Sequence, residues 1–121
     1  MPMSTSELRR TEPGPDDALS VAVSVSPATG RVTVVAAGEV DIVSAERLGA
    51  ALTSVLDHPP SGLDVDLGQV TMLDSTGISV LMSARARAAA AGCQMTVTAV
   101  QPYVRRVLGI CGLLDALNVA P

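Results

Sequence analysis

Aromatic side chains are almost missing from this sequence, which has one tyrosine, Tyr103, and neither phenylalanine nor tryptophan in 121 residues. Binding of single-stranded nucleic acid by base stacking needs ring platforms, and this chain has none to offer. Lysine is absent too, so the positive charge rests on eight arginines against twelve acidic residues, for a net charge of −4. Surfaces that track phosphates are basic, so direct contact with nucleic acid is not expected. No apolar run is long enough to span a membrane. The chain is polar from Ser4 to Asp17, which argues against a signal peptide and predicts a cytoplasmic protein without membrane contact. The single histidine, His58, sits in a proline-rich stretch, and Cys93 and Cys111 have neither CxxC spacing nor histidines beside them. That pattern gives no metal-ligand set, and both cysteines are expected to be reduced core residues. Phosphate-cradling glycine motifs are missing as well, so no cofactor is implied.

What is present is aliphatic: 48% of the residues are hydrophobic, mostly Ala, Val and Leu. That is enough for one core and one domain. Residues 1–18 carry few apolar side chains and are predicted to be a disordered tail, leaving 19–121 as the folded domain. Residues 19–26 alternate apolar and small polar side chains, the period of a half-buried strand. Ala28-Thr29-Gly30 supplies a turn, and residues 31–37 give a β-branched second strand, so an antiparallel hairpin is predicted. Leu48, Ala51, Leu52 and Val55 lie at helical spacing within 43–56, with Ser44 placed to cap the start. The stretch from His58 to Gly62 ends that helix.

Leu63-Asp64-Val65-Asp66-Leu67 alternates strictly. A parallel strand covered on both faces reads as continuously apolar, so this one has a wet face. The expected fold class is α/β (α+β), a roughly four-stranded mixed sheet with helices packed mainly on one side. A helix over 75–91, a strand over 94–100, a helix from Pro102 with proline in its first turn, and a short terminal helix over 113–119 complete the order. In the helix from Ser75, the residues Ile78, Val80, Leu81, Met82, Ala84, Ala88 and Ala89 form the expected buried stripe. Arg85 falls inside that stripe as a snorkelling side chain. Ser79, Ser83, Ala86 and Ala90 form a smooth opposite face on which another protein could dock.

Two short motifs stand out, Gly38-Glu39-Val40-Asp41 and Asp74-Ser75-Thr76-Gly77. In this order, the stretch from Val32 to Val119 resembles a STAS domain of the bacterial anti-sigma factor antagonists. The resemblance implies a non-enzymatic regulator whose unmodified form sequesters an anti-sigma factor that is itself a serine kinase. Phosphorylation of the serine after the aspartate releases the kinase, and a serine phosphatase resets the cycle. The matching acceptor here is Ser75, with Asp41 and Asp74 as acidic neighbours that orient the hydroxyl and define the site the kinase reads. Thr76 is a secondary acceptor or a first-turn hydrogen bonder, and Gly77 permits close backbone approach. This chain has Gly77-Ile78-Ser79 where many relatives have Gly-Leu-Gly.

The chemistry agrees with that assignment. A hydroxyl at a helix N-terminus suits a phosphate, because free N–H groups and the helix dipole favour negative charge there. Two other readings compete. A hydrolase would need a nucleophile elbow and a catalytic histidine, and neither is present. A constitutive scaffold or small-ligand module would use Asp74 and Ser75 only as a helix cap, and Asp41 as an Asx turn before the first helix.

Overall fold

The computed structural model describes residues 19–121; the tail expected over 1–18 lies outside the described residues. The chain forms β1 (Leu19–Val25), β2 (Val32–Val40), α1 (Ala45–Asp57), β3 (Gly62–Leu73), α2 (Ser75–Ala90), β4 (Gln94–Val100) and α3 (Pro102–Ile110). The four strands lie in one sheet in chain order, β1-β2-β3-β4. β1 and β2 are the antiparallel hairpin, with Leu19 opposite Gly38 and Val25 opposite Val32. β2 with β3 and β3 with β4 are parallel. The two parallel crossovers step the same way along the sheet, so right-handed connections put α1 and α2 on the same face, where they pack against each other.

The sheet builds its core from one face. Leu63, Val65 and Leu67 of β3 are fully buried, as are Val34, Ala36 and Val40 of β2 and Val97 of β4. Leu48 and Leu52 of α1, Leu81 and Ala88 of α2, and Val104 and Leu108 of α3 complete the cluster. Asp64 and Asp66 occupy the alternate positions of β3 and are half-buried. Asp64 is bound by the Arg31 guanidinium through Nη2 at 2.5 Å and Nε at 3.2 Å, an ion pair that raises the Arg31 pKa further. Asp66 Oδ1 accepts from the Gly68 N–H at 2.8 Å.

Several expectations need correction. β3 runs to Leu73, well beyond the alternating 63–67. Register shifts against β2 and β4 flip the side-chain phase along it, which hides the strand from a period-two reading. Residues 113–119 form turns rather than a helix. Asn118 takes a left-handed conformation (φ 56°), and Val119 then bridges in parallel to Val97, adding to the β4 edge. Cys93 is buried but Cys111 is exposed; both are free, and burial pushes the Cys93 thiol pKa up. On α2 the buried stripe is Gly77, Leu81, Ala84 and Ala88, while Ala89 and Arg85 are exposed. The helix is rotated so that small residues meet the sheet closely, and Arg85 needs no snorkelling.

Candidate functional site

The parallel register of β2 and β3 places the two motifs together. Val40 pairs with Leu73, so the next residues, Asp41 and Asp74, leave the sheet side by side at its carboxyl edge. The Asp74 N–H donates to the Val40 carbonyl at 3.2 Å, tying one loop to the other. Ligand sites of open α/β sheets gather at this edge.

Asp74 is extended (φ −98°, ψ −174°) and is the N-cap of α2. Its Oδ1 accepts from the N–H groups of Thr76 at 3.0 Å and Gly77 at 3.1 Å, and its carbonyl accepts from Ile78 at 3.0 Å. The carboxylate is thus the expected N-cap, and it occupies two of the first-turn donors that would otherwise favour a phosphate. Ser75 is the first residue of α2, is exposed, and its hydroxyl has no hydrogen bond among the described residues. Thr76 is half-buried and turns toward α1.

Gly77 explains how this turn fits onto the strands. It is buried, and a Cβ there would fall 2.5 Å from Leu73 Cδ1 and 2.7 Å from Val40 Cγ1. Any side chain would lift the start of α2 off the ends of β2 and β3, and Ser75 with it.

The companion loop is built differently. Asp41 Oδ1 accepts from the N–H groups of Val43 at 3.0 Å and Ser44 at 2.9 Å, and lies 3.0 Å from Ser44 Oγ. The Asp41 N–H donates to Ser44 Oγ at 3.0 Å, and that hydroxyl donates to the Glu39 carbonyl at 2.8 Å. The Ser44 N–H, and then the Ser44 hydroxyl when its one proton turns from the Glu39 carbonyl to Oδ1, hold the Asp41 carboxyl below its ordinary pKa, because both favour the charged form. Ser44 is therefore not the side-chain cap expected from sequence. It has helical dihedrals, makes no capping bond to the helix and is 3% exposed, while Asp41 forms the Asx turn and α1 begins only at Ala45.

Sequence reasoning missed the Ser44 hydroxyl network and the exposure of Ile42 (70%) and Val43 (66%). The Asp-x-x-Ser spacing was a signal for the first; the second was hidden by reading Val43 as helical. Ser79 and Ser83 lie on α2 as expected, but with Thr76, Val80 and Arg87 they line a groove of about 410 Å³ between α1 and α2. Arg87 Nη2 donates to Asp57 Oδ1 at 2.6 Å, joining the last turns of the two helices. Ser75 does not line that groove. Among the described residues no cluster of His, Cys, Asp or Glu could hold a metal ion, and no helix is long and apolar enough to cross a membrane.

Comparison with known proteins fits this geometry. Residues 23–118 match the family described as "Mlab, STAS domain". An anti-sigma factor antagonist from Mycobacterium paratuberculosis is 26% identical, with a TM-score of 0.74 and 91% of each chain covered. The Bacillus cell fate determinant SpoIIAA, solved in its phosphorylated form, is 16% identical (TM-score 0.65, covering 84% of this chain and 92% of that one). A sulfate transporter family protein from Wolinella succinogenes is 19% identical (TM-score 0.59, 79% of each chain). The last two show likeness of fold alone.

Proposed function

Because the chain belongs to the STAS domain family, we propose that it is an anti-sigma factor antagonist of the cytoplasm, with Ser75 as a phosphorylation switch. The unmodified form binds an anti-sigma serine kinase and frees a sigma factor; phosphorylation at Ser75 ends that binding, and a serine phosphatase restores it. The protein is the kinase's substrate and not itself an enzyme. The observation that carries the reading is the exposed, unbonded Ser75 hydroxyl at the first position of α2. Support also comes from the 26% identical antagonist and from a relative of the same fold solved in a phosphorylated form.

The switch acts by charge. A phosphate brings about −1.5 to −2 at neutral pH, and here it would arrive beside Asp41 and Asp74. Asp74 already engages the N–H groups of Thr76 and Gly77, so little of the helix terminus is left to absorb the new charge. The partner surface over Ser75 meets it instead. A penalty of roughly 3–4 kcal/mol there weakens binding by about two to three orders of magnitude. Asp74 and Gly77 fix where the hydroxyl stands, Asp41 adds negative charge at the adjoining strand end, Thr76 is a secondary acceptor, and Ser79 and Ser83 form the part of the docking face that runs into the α1–α2 groove.

The test is phosphosite mass analysis of the protein after incubation with ATP and each candidate anti-sigma kinase, with partner affinity measured for Ser75→Ala and Ser75→Asp. One phosphate on Ser75, retained binding for Ser75→Ala and a loss of about 100-fold or more for Ser75→Asp is the expected result. A second reading is a constitutive scaffold or small-ligand module. It is favoured by the Asp74 cap, which is complete without any modification, and it predicts that Ser75→Asp leaves partner affinity unchanged.

A further inference from the structure

The two edges of the sheet are finished differently. At the β4 edge, Val119 bridges to Val97, and the Ala120 N–H donates to the Val97 carbonyl at 2.9 Å. The β1 edge carries no such cover: among the described residues, β1 pairs with β2 alone. Its sequence, Leu-Ser-Val-Ala-Val-Ser-Val, has no charge, no proline and no bulge against β2, and so lacks the usual devices that keep an edge strand from pairing. On the helix side, α1 covers only its beginning. Arg47 Nη1 donates to the Leu19 carbonyl at 2.5 Å, but exposure then rises from 2% at Leu19 to 37% at Val23 and 61% at Val25. The gap left between β1 and α1 is an apolar groove of about 640 Å³ that includes Val21, Val23, Val25, Ala51 and Val55.

We propose that a second copy of this chain occupies this edge, its β1 pairing antiparallel with the first about a two-fold axis at Ala22. The strand is self-complementary in that register, as an isologous interface requires. Val21 of each copy meets Val23 of the other, Leu19 meets Val25, Ser20 meets Ser24, and all seven residues pair. Directly opposite residues share a face, so the valines of both copies continue one apolar strip into both grooves, and no like charges are opposed. A shift of one residue would set valine against alanine or serine across the faces.

The size fits a weak dimer. Seven residues span about 24 Å, and a footprint roughly 20 Å wide across strand and groove gives about 500 Å² per copy. The total of about 1,000 Å² stands at the lower limit for a specific interface. The preceding residues 1–18 join β1 at Leu19, the end that α1 already covers. They include only Met1, Met3, Leu8 and Ala18 as non-proline apolar residues, too few for a seven-residue apolar strip.

The full chain, followed by sedimentation equilibrium from about 5 to 500 µM, is expected to dimerise with a Kd of roughly 10–100 µM. Ala22→Arg sets two cations opposite each other on the axis, and Val25→Lys charges the open end of the groove. Both positions are exposed, and each change should shift the Kd at least tenfold with the circular dichroism spectrum unchanged. Ile110→Lys, on the exposed face of α3, should leave the dimer intact. In a Cys111→Ser background, Ala22→Cys should cross-link to a covalent dimer under mild oxidation and Val25→Cys should not. A monomer across the whole range, a dimer that survives Ala22→Arg and Val25→Lys, or equal cross-linking at both positions would overturn the proposal. None of these readings depends on Ser75, so the switch and the dimer stand or fall separately.

Discussion

Two serines stand next to two aspartates at the same edge of the sheet, and they are used in opposite ways. Ser44 is buried and spends its hydroxyl on the Glu39 carbonyl and the Asp41 N–H. Ser75 is exposed with its hydroxyl unspent, because Asp74 rather than Ser75 caps the N–H groups of Thr76 and Gly77. The difference lies in where each carboxylate aims. Asp41 folds back over its own loop and draws the serine three residues on into the structure. Asp74 reaches forward to the N–H groups of Thr76 and Gly77 and leaves the adjacent serine outside. A site for modification is made here less by what surrounds the serine than by a neighbour that removes any structural need for it.

The sharpest way to break this comparison is to make the same change at both serines. Ser44→Asp buries a second carboxylate beside Asp41 and should cost about 4 kcal/mol or more, a large share of the roughly 5–15 kcal/mol by which a domain is typically stable. Ser75→Asp should stay within about 0.5 kcal/mol of the parent in urea denaturation, since exposed positions away from packing and networks tolerate change. Equal destabilisation at both sites would refute the contrast. Next in size is Gly77→Ala. The added methyl gains helix propensity but meets Leu73 and Val40 at 2.5 and 2.7 Å, and overpacking of this kind costs about 1–3 kcal/mol. A midpoint that rises instead would show that α2 does not need its close seat.

Asp74→Ala removes the cap and should cost about 1 kcal/mol, measured by the same denaturation, with Ser75→Ala as the near-neutral comparison. The smallest effect is the pH dependence contributed by Asp41. Its folded-state pKa is lowered, so its contribution is fully present above the ordinary carboxylate value near 3.9 and is lost as pH falls through the folded-state value. The difference in melting temperature between the parent and Asp41→Asn should therefore be constant from pH 7 to about 5 and shrink below pH 4. A gap that widens on acidification would mean that the Ser44 donors do not stabilise the charged form.

The parts of this architecture that sequence carried are those governed by local pattern. Residues 19–25 and 94–100 alternate, and Pro102 opens α3 where the ring's fixed dihedral predicts. The pairing of Asp41 with Asp74 followed from the resemblance of the two motifs, and the Val40–Leu73 register gives it a geometric basis. What sequence did not carry depends on tertiary choices. The far half of β3 loses its period at the register shifts. The rotation of α2 toward Gly77, Ala84 and Ala88 is set by how closely a helix of small residues can approach the sheet, which an apolar count over Ile78 to Ala89 cannot weigh. Residues 113–119 have helical composition, but Asn118 turns the chain back onto Val97 before a second turn can form. The inward serine was legible in principle from the Asp-x-x-Ser spacing, yet the same letters also spell a helix cap.

The strand order has a consequence for how the protein is made. Each strand pairs with the one that precedes it in the chain, so no segment has to insert between two strands already joined. As the polypeptide emerges from the ribosome, the hairpin of β1 and β2 can form first, and each later strand–helix unit can dock onto a finished edge, in the amino-to-carboxyl order in which synthesis delivers them. Growth by accretion ends when Val119 lies down beside Val97. Until then the nascent sheet has a live growing edge at the carboxyl side; among the described residues the β1 edge gains no such closing strand.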